Sequence, residues 1–266
     1  MNENIKLGPL PCPVCKTHAL FDATKLIKRQ QRFSSTDQIR WINASPSRSG
    51  SSVIYQLMDF FDEGATVKTH HIQQQDCPLI CDVNGVVCAI RHPYDMYASL
   101  LKMFNDKKPE EFSFVEDENI VKKLDKELET TKGLIVFNES ITFLYNFFMN
   151  RDEVRNVLFL KYEDCMKNNS LRIEKLSEYM GVNYTEKEIQ ELSKKYSLNN
   201  NLKRIESGEH RTEDRKGTIA AKNIYFESNH IGPNLGKSIG NSLPEEIKKY
   251  IYEKHKMIFD YFNYEA

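Results

Sequence analysis

The sequence predicts an α/β protein whose parallel sheet is flanked by helices. Three observations carry that prediction. Short apolar runs of strand length alternate with segments of helical periodicity. One of them, Val86-Val-Cys-Ala-Ile90, is apolar throughout, as strands buried on both faces of a parallel sheet are. A serine- and glycine-rich turn, Ser45-Pro-Ser-Arg-Ser-Gly-Ser-Ser52, joins the first strand to the first helix, a place where such sheets hold phosphate groups.

The elements follow in order. Residues 1–38 are polar, with prolines at 9, 11 and 13, and read as a peripheral segment ahead of one domain over 39–266. Trp41-Ile-Asn-Ala44 is a short buried strand. Ser51–Phe61 is a helix with Val53, Ile54, Leu57, Phe60 and Phe61 on its inward face. Thr66-Val-Lys-Thr-His70 is the second strand and Val86–Ile90 the third. The next helix has Pro93 in its first turn and Met96, Tyr97, Leu100 and Phe104 facing inward. Residues 105–132 are charged, with Phe112 and Phe114 among them, and read as a lid-like insertion over the strand ends. Val157-Leu-Phe-Leu160 is the fourth strand. Helices follow at Leu171–Met180, stopped by Gly181, and at Glu186–Tyr196, opened by the capping box Thr185-Glu-Lys-Glu188. The last helix starts near a second capping box, Ser242-Leu-Pro-Glu245. It turns Ile247, Tyr250, Ile251, Ile258, Phe259 and Phe262 inward.

Composition narrows the function classes. Hydrophobic residues make up 40% of the 266 and charged residues 28%, as in soluble globular proteins. A formal charge of −1 argues against nucleic acid as a partner. No run approaches the roughly 18 apolar residues of a membrane span. The N-terminus lacks the basic and apolar regions of a secretory signal, so a cytoplasmic location is expected. Cys12 and Cys15 have the spacing of half a zinc knuckle, which Cys77 and Cys81 could complete. The competing reading is six reduced thiols, with Cys88 inside a strand.

The turn at 45–52 nearly spells the nucleoside-triphosphate loop G-x-x-x-x-G-K-[ST]. With Ser45 on the first glycine, Gly50 falls on the second, Ser51 on the lysine and Ser52 on the hydroxyl residue. Backbone N–H groups at the helix start can still cradle an anion, with Gly50 allowing close approach. The Ser49, Ser51 and Ser52 hydroxyls can add donors. The cation has moved to Arg48, on the near side of the loop. That suits a ligand without a γ-phosphate and its magnesium.

The order Ser45-Pro-Ser-Arg-Ser-Gly-Ser-Ser52, Val67-Lys-Thr-His70, Ala89-Ile-Arg-His-Pro-Tyr-Asp-Met-Tyr-Ala-Ser99 and Phe159-Leu-Lys-Tyr-Glu-Asp164 resembles the sulfotransferase family. Its members use 3′-phosphoadenosine 5′-phosphosulfate (PAPS). The likeness runs from about residue 40 to 182, and more loosely beyond. It implies a P-loop-like sulfotransferase fold with PAPS as donor and no metal. It also implies that Arg48, Ser49, Gly50, Ser51 and Ser52 hold the 5′-phosphosulfate, Arg91 and Ser99 the 3′-phosphate, and that Tyr162 lies near the adenine. Arginine suits a phosphate because its planar fork donates two parallel hydrogen bonds. A closing Arg-Lys-Gly segment is matched by letter at Arg215-Lys216-Gly217, the preferred candidate although its usual Gly-Asp-Trp-Lys continuation is missing, while Gly236-Lys-Ser-Ile-Gly240 stands where the family motif normally stands.

The same likeness makes His70 the general base and Arg48 the group that stabilises charge on the bridging oxygen, with Lys68 assisting. His71 or a glutamate from 110–118 remain alternatives for the base. The acceptor is a small molecule, glycan or lipid, and an oligomer is compatible with the composition. Two other function classes compete. A P-loop kinase predicts a lysine where Ser51 stands. A degenerate, non-catalytic nucleotide-binding protein fits the blurred C-terminal motif.

Overall fold

A computed structural model describes residues 39–46, 48–69, 83–99, 157–197, 199–201, 203 and 238–266. Strands β1 (Trp41–Ala44), β2 (Thr66–Thr69), β3 (Gly85–Ile90) and β4 (Val157–Lys161) form a sheet of order β2-β1-β3-β4. Every pairing is parallel, with Trp41 opposite Thr66 and Gly85, and Val86 opposite Val157. The sequence-based prediction of a parallel sheet flanked by helices therefore holds. Because β2 and β3 lie on opposite sides of β1, the chain leaving β1 enters the crevice where the winding reverses.

Helix α1 (Ser51–Phe61) follows β1, and residues 93–99 form a helix, α2, after β3. Behind β4 come α3 (Tyr162–Lys167), α4 (Asn169–Met180) and α5 (Glu186–Lys195). A 3-10 turn at Gly240–Ser242 leads into α6 (Glu245–Phe262).

One face of the sheet is covered by α1, α4 and α5. Ile54, Leu57 and Met58 meet Ile173, Leu176 and Leu192 over Val87, Ala89 and Leu160. Strand alternation sends Val86, Cys88 and Ile90 to the other face, and they are buried too. Each such apolar side chain contributes about 1.5–3 kcal/mol when fully buried. Helices α2 and α6 pack together through Tyr94 and Phe259, whose ring centroids are 5.1 Å apart. Tyr179 pins α4 to the sheet: its hydroxyl accepts from Val86 N at 3.0 Å and donates to Val86 O at 3.2 Å. Burial pushes that phenol up to about 12.

The helix starts show which local signals survive packing. The Thr185 box forms, with Glu188 N donating to Thr185 Oγ1 and Thr185 N donating to Glu188 Oε2. Gly181 ends α4 in the left-handed region at φ 70°. The expected box at Ser242 does not form. Pro244 is the N-cap of α6, and Ser242 Oγ instead donates to Ile239 O at 2.6 Å. The 3-10 turn directs that hydroxyl back towards the preceding residues. Helix α4 starts at Asn169, two residues before its predicted start, because the Asn168 side chain accepts from Leu171 N.

Four predicted inward residues are not fully buried: Val53 and Phe61 are partly buried against the core, and Phe60 and Tyr250 depart further. Phe60 is 44% exposed, since the buried stripe of α1 runs through Tyr55 and Met58. Its ring lies against Tyr196 and the Lys195 ammonium instead. Tyr250 is only half-buried, and His255 is buried in its place, at a kink where its φ is −119°. The proposed lid at 105–132, the segment 1–38, Leu100, Phe104 and Cys12, Cys15, Cys77 and Cys81 lie outside the described residues. Cys88 and Cys165 are buried free thiols, both raised by burial.

Candidate functional site

The turn after β1 is tied down from beneath. Ser45 Oγ donates to Asn43 Oδ1 at 2.6 Å and accepts from Ala89 N at 2.8 Å, linking β1 to β3. Asn43 Nδ2 donates to Ser51 O at 2.9 Å. Ser49 Oγ donates to Pro46 O at 2.7 Å, so this hydroxyl is used inside the loop.

Gly50 sits at the N-cap of α1 with φ 86°, the left-handed region that favours glycine. A Cβ there would come within 2.7 Å of Tyr162 Cδ2. The residue is fixed twice, by its dihedral and by the ring over it. Arg48 is also left-handed, at φ 67°, a conformation that costs free energy in a non-glycine residue and persists only where its surroundings enforce it.

Those surroundings are the other predicted site residues. Arg48 Nε donates to Ser99 Oγ at 2.8 Å, and Arg91 Nη1 donates to Arg48 O at 3.3 Å. The Arg91 guanidinium lies 4.5 Å from the centroid of the Tyr162 ring. Arg48, Gly50, Arg91, Ser99 and Tyr162 thus converge, although they come from β1–α1, the end of β3, α2 and the end of β4. Lys68 reaches the same loop from β2 and donates to Ser52 Oγ at 2.8 Å.

The electrostatics are those of an anion site. The Arg48 guanidinium is lowered first by burial and then by Arg91. Burial lowers the Lys68 ammonium to about 8. Arg91 is only 7% exposed, and its Nε has no hydrogen-bond partner among the described residues. Cations held close together with little water are stabilised by an anion. A phosphate fits the donor set: paired guanidinium groups, hydroxyls and a helix start with no acidic residue in its first turn.

Other predicted site residues cannot be placed. His70 and His71 lie just past the last described residue of β2. Arg215, Lys216 and Gly217 are also outside the described residues. Of the second closing candidate, Ser238, Ile239 and Gly240 are described, and they lie against α2. Sequence reasoning missed Asp95, which receives that segment, and Glu163, whose carboxylate accepts from His92 N at 2.7 Å and Tyr264 O–H at 3.0 Å. It also missed Arg172, 6% exposed on α4 and lowered to about 10 chiefly by burial. No local motif marks a residue whose role is to brace another, so spacing could not have found them.

A parallel sheet with a glycine-capped loop at its switch point and arginines converging on it defines a nucleotide- or anion-binding α/β protein. The family model described as the sulfotransferase domain matches residues 66–254, and the chain belongs to that family. Cytosolic sulfotransferase 14 of Arabidopsis thaliana is 29% identical over 164 residues, covering 55% of this chain and 45% of that protein. The chain thus spans less than half the length of that relative. The crystal structure of mouse sulfotransferase SULT7A1 complexed with PAP superposes with a TM-score of 0.59 at 12% identity, over 91% of each chain. That likeness bears on the fold, which is the P-loop-like fold expected. Among the described residues no helix is long and apolar enough to cross a membrane.

Proposed function

We propose that the chain transfers a sulfuryl group from PAPS to a hydroxyl or amine of a small-molecule, glycan or lipid acceptor in the cytoplasm. The observation that carries this reading is the convergence of Arg48, Arg91 and Ser99 at the switch-point loop, beside Tyr162. Family membership supplies the chemistry. In this reading PAPS is the donor and no metal takes part, as the family resemblance implies. PAP, bound by the mouse structural neighbour, supports a bisphosphate-shaped site by analogy.

In this reading the 5′-phosphosulfate sits on the loop of Arg48, Ser49, Gly50, Ser51 and Ser52. Ser49 contributes its backbone, because its hydroxyl is held by Pro46 O. Arg91 and Ser99 hold the 3′-phosphate, and Tyr162 borders the adenine. His70 removes the acceptor's proton. The acceptor oxygen forms its bond to sulfur as the bond from sulfur to the bridging oxygen breaks. Adenosine 3′,5′-bisphosphate leaves, and Arg48 stabilises the charge that collects on its 5′-phosphate. Lys68 adds positive charge through Ser52. Closure over the 3′ end falls to Arg215-Lys216-Gly217 or to the 236–240 segment, of which Ser238–Gly240 contact the helix that carries Ser99.

The test is a thermal-shift comparison of adenosine 3′,5′-bisphosphate, ADP and ATP with magnesium. At about 100 times its dissociation constant a ligand stabilises the fold by roughly 2.7 kcal/mol. A shift with the bisphosphate, and a smaller one with ADP, supports the reading. A shift confined to ATP with magnesium would point to a kinase. No shift with any of them would favour a non-catalytic member.

A further inference from the structure

Asp95 lies on α2, one helical turn after Arg91, and is 6% exposed. A buried carboxylate needs partners, and its two oxygens serve different ones. Oδ1 accepts from Ile239 N at 2.8 Å, Gly240 N at 2.6 Å and Ser238 Oγ at 3.1 Å. Oδ2 faces Arg91 Nε at 3.9 Å, too long for a direct hydrogen bond but close enough for charge attraction. The contact with the turn is tight as well. A Cβ on Gly240 would lie 2.5 Å from Tyr94 Cβ and 3.0 Å from Asp95 N.

Given the donor-site reading above, we infer that Asp95 is a positioning residue for 3′-phosphate recognition. Through Oδ1 it holds the Ser238–Gly240 turn against α2. Through Oδ2 it steadies the Arg91 guanidinium, which also contacts Tyr162 and the Arg48 carbonyl. One carboxylate therefore links a turn more than a hundred residues away in sequence to the arginine that meets the anion. A purely structural clamp would need only the three bonds to Oδ1. The orientation of Oδ2 towards Arg91 is what extends the role to binding.

The experiment separates the two oxygens. Dissociation constants for adenosine 3′,5′-bisphosphate and adenosine 5′-phosphate are measured by calorimetry on the full chain and on Asp95→Asn and Asp95→Glu. Their ratio reads the contribution of the 3′-phosphate alone. Asparagine keeps an acceptor for the turn but loses the charge towards Arg91. The ratio should fall about tenfold in Asp95→Asn, with 5′-phosphate binding nearly unchanged, and recover in part in Asp95→Glu. An unchanged ratio in a folded Asp95→Asn protein overturns the inference, leaving Asp95 a structural clamp. If Asp95→Asn does not fold, the ratio is read in Asp95→Glu, whose longer side chain moves the carboxylate relative to Arg91: a fall of about threefold is expected, and an unchanged ratio overturns the inference. If the wild-type chain binds neither nucleotide, the donor-site reading itself fails, a result distinct from either.

Discussion

Gly50→Ala tests the geometry of the loop most directly. At φ 86° a side chain is strained whatever space surrounds it, at a cost of roughly 1–2 kcal/mol. The added methyl also lies 2.7 Å from Tyr162 Cδ2, well inside ordinary van der Waals contact. The ring cannot retreat freely, because the Arg91 guanidinium lies 4.5 Å from its centroid. Forced overpacking of this kind costs about 1–3 kcal/mol. Together the two effects predict a loss of about 2–5 kcal/mol in urea unfolding. The components separate in a double-mutant cycle with Tyr162→Ala. With the ring removed, Gly50→Ala should cost only its backbone share. A Gly50→Ala protein within about 0.5 kcal/mol of wild type, the range of ordinary surface substitutions, would refute the placement of Tyr162 over the loop. An equal cost in both backgrounds would refute the ring contact while leaving the dihedral.

Arg48→Ala should lower sulfuryl transfer by about 10²–10³ while the melting temperature stays near wild type, read by activity and calorimetry together. His70→Ala should lower turnover by about 10²–10⁴ with bisphosphate affinity retained; lost affinity would make His70 a binding or structural residue. Lys68, at about 8 in the fold and about 10.4 unfolded, has a depressed value, so the unfolded chain binds the extra proton between those pH values. Its burial therefore weakens the fold below pH 8, and stability recovers as pH rises through the window. Anion binding should reverse the shift, giving proton uptake near pH 8 in calorimetry across buffers of different ionisation enthalpy; Lys68→Met should abolish it. His255, lowered from 6.5 to about 4 by burial beside Tyr97 O–H at 2.8 Å, is neutral in the fold while the unfolded chain takes the proton first. Stability should fall by about 3 kcal/mol as pH drops from 6.5 to 4, and His255→Gln should flatten that slope in urea melts.

Two of the strands were legible because each buries a short continuous run, and in a parallel sheet such runs have one reading. Trp41–Ala44 and Val86–Ile90 show this best. The Thr185 box and the Gly181 stop were legible because their partners lie within a few residues. Ser242 carried the same letters as a capping box, but the turn before it drew the hydroxyl elsewhere. The inward face of α6 was read as an unbroken spiral, and the kink at His255 shifts which side chains reach the core. At the site, Arg48, Arg91 and Ser99 were singled out only through the resemblance of their motifs to the family's. Asp95 was not, because its partners are far along the chain and its importance depends on how α6 folds back.

The pairing of β3 with β4 has a consequence for how the protein comes into being. Val86 to Ile90 meet partners roughly seventy residues further along the chain, a high sequence separation for neighbouring strands. Loop-closure entropy rises only about 0.6 kcal/mol for each doubling of length, so the distance costs speed more than final stability. Tyr162, which completes the loop around Gly50, arrives only with β4. On a ribosome the first three strands emerge well before it, with β3 still lacking one neighbour. Nucleotide recognition should therefore be acquired late in synthesis, and a bound nucleotide should slow the detachment of β4 more than the fraying of β2.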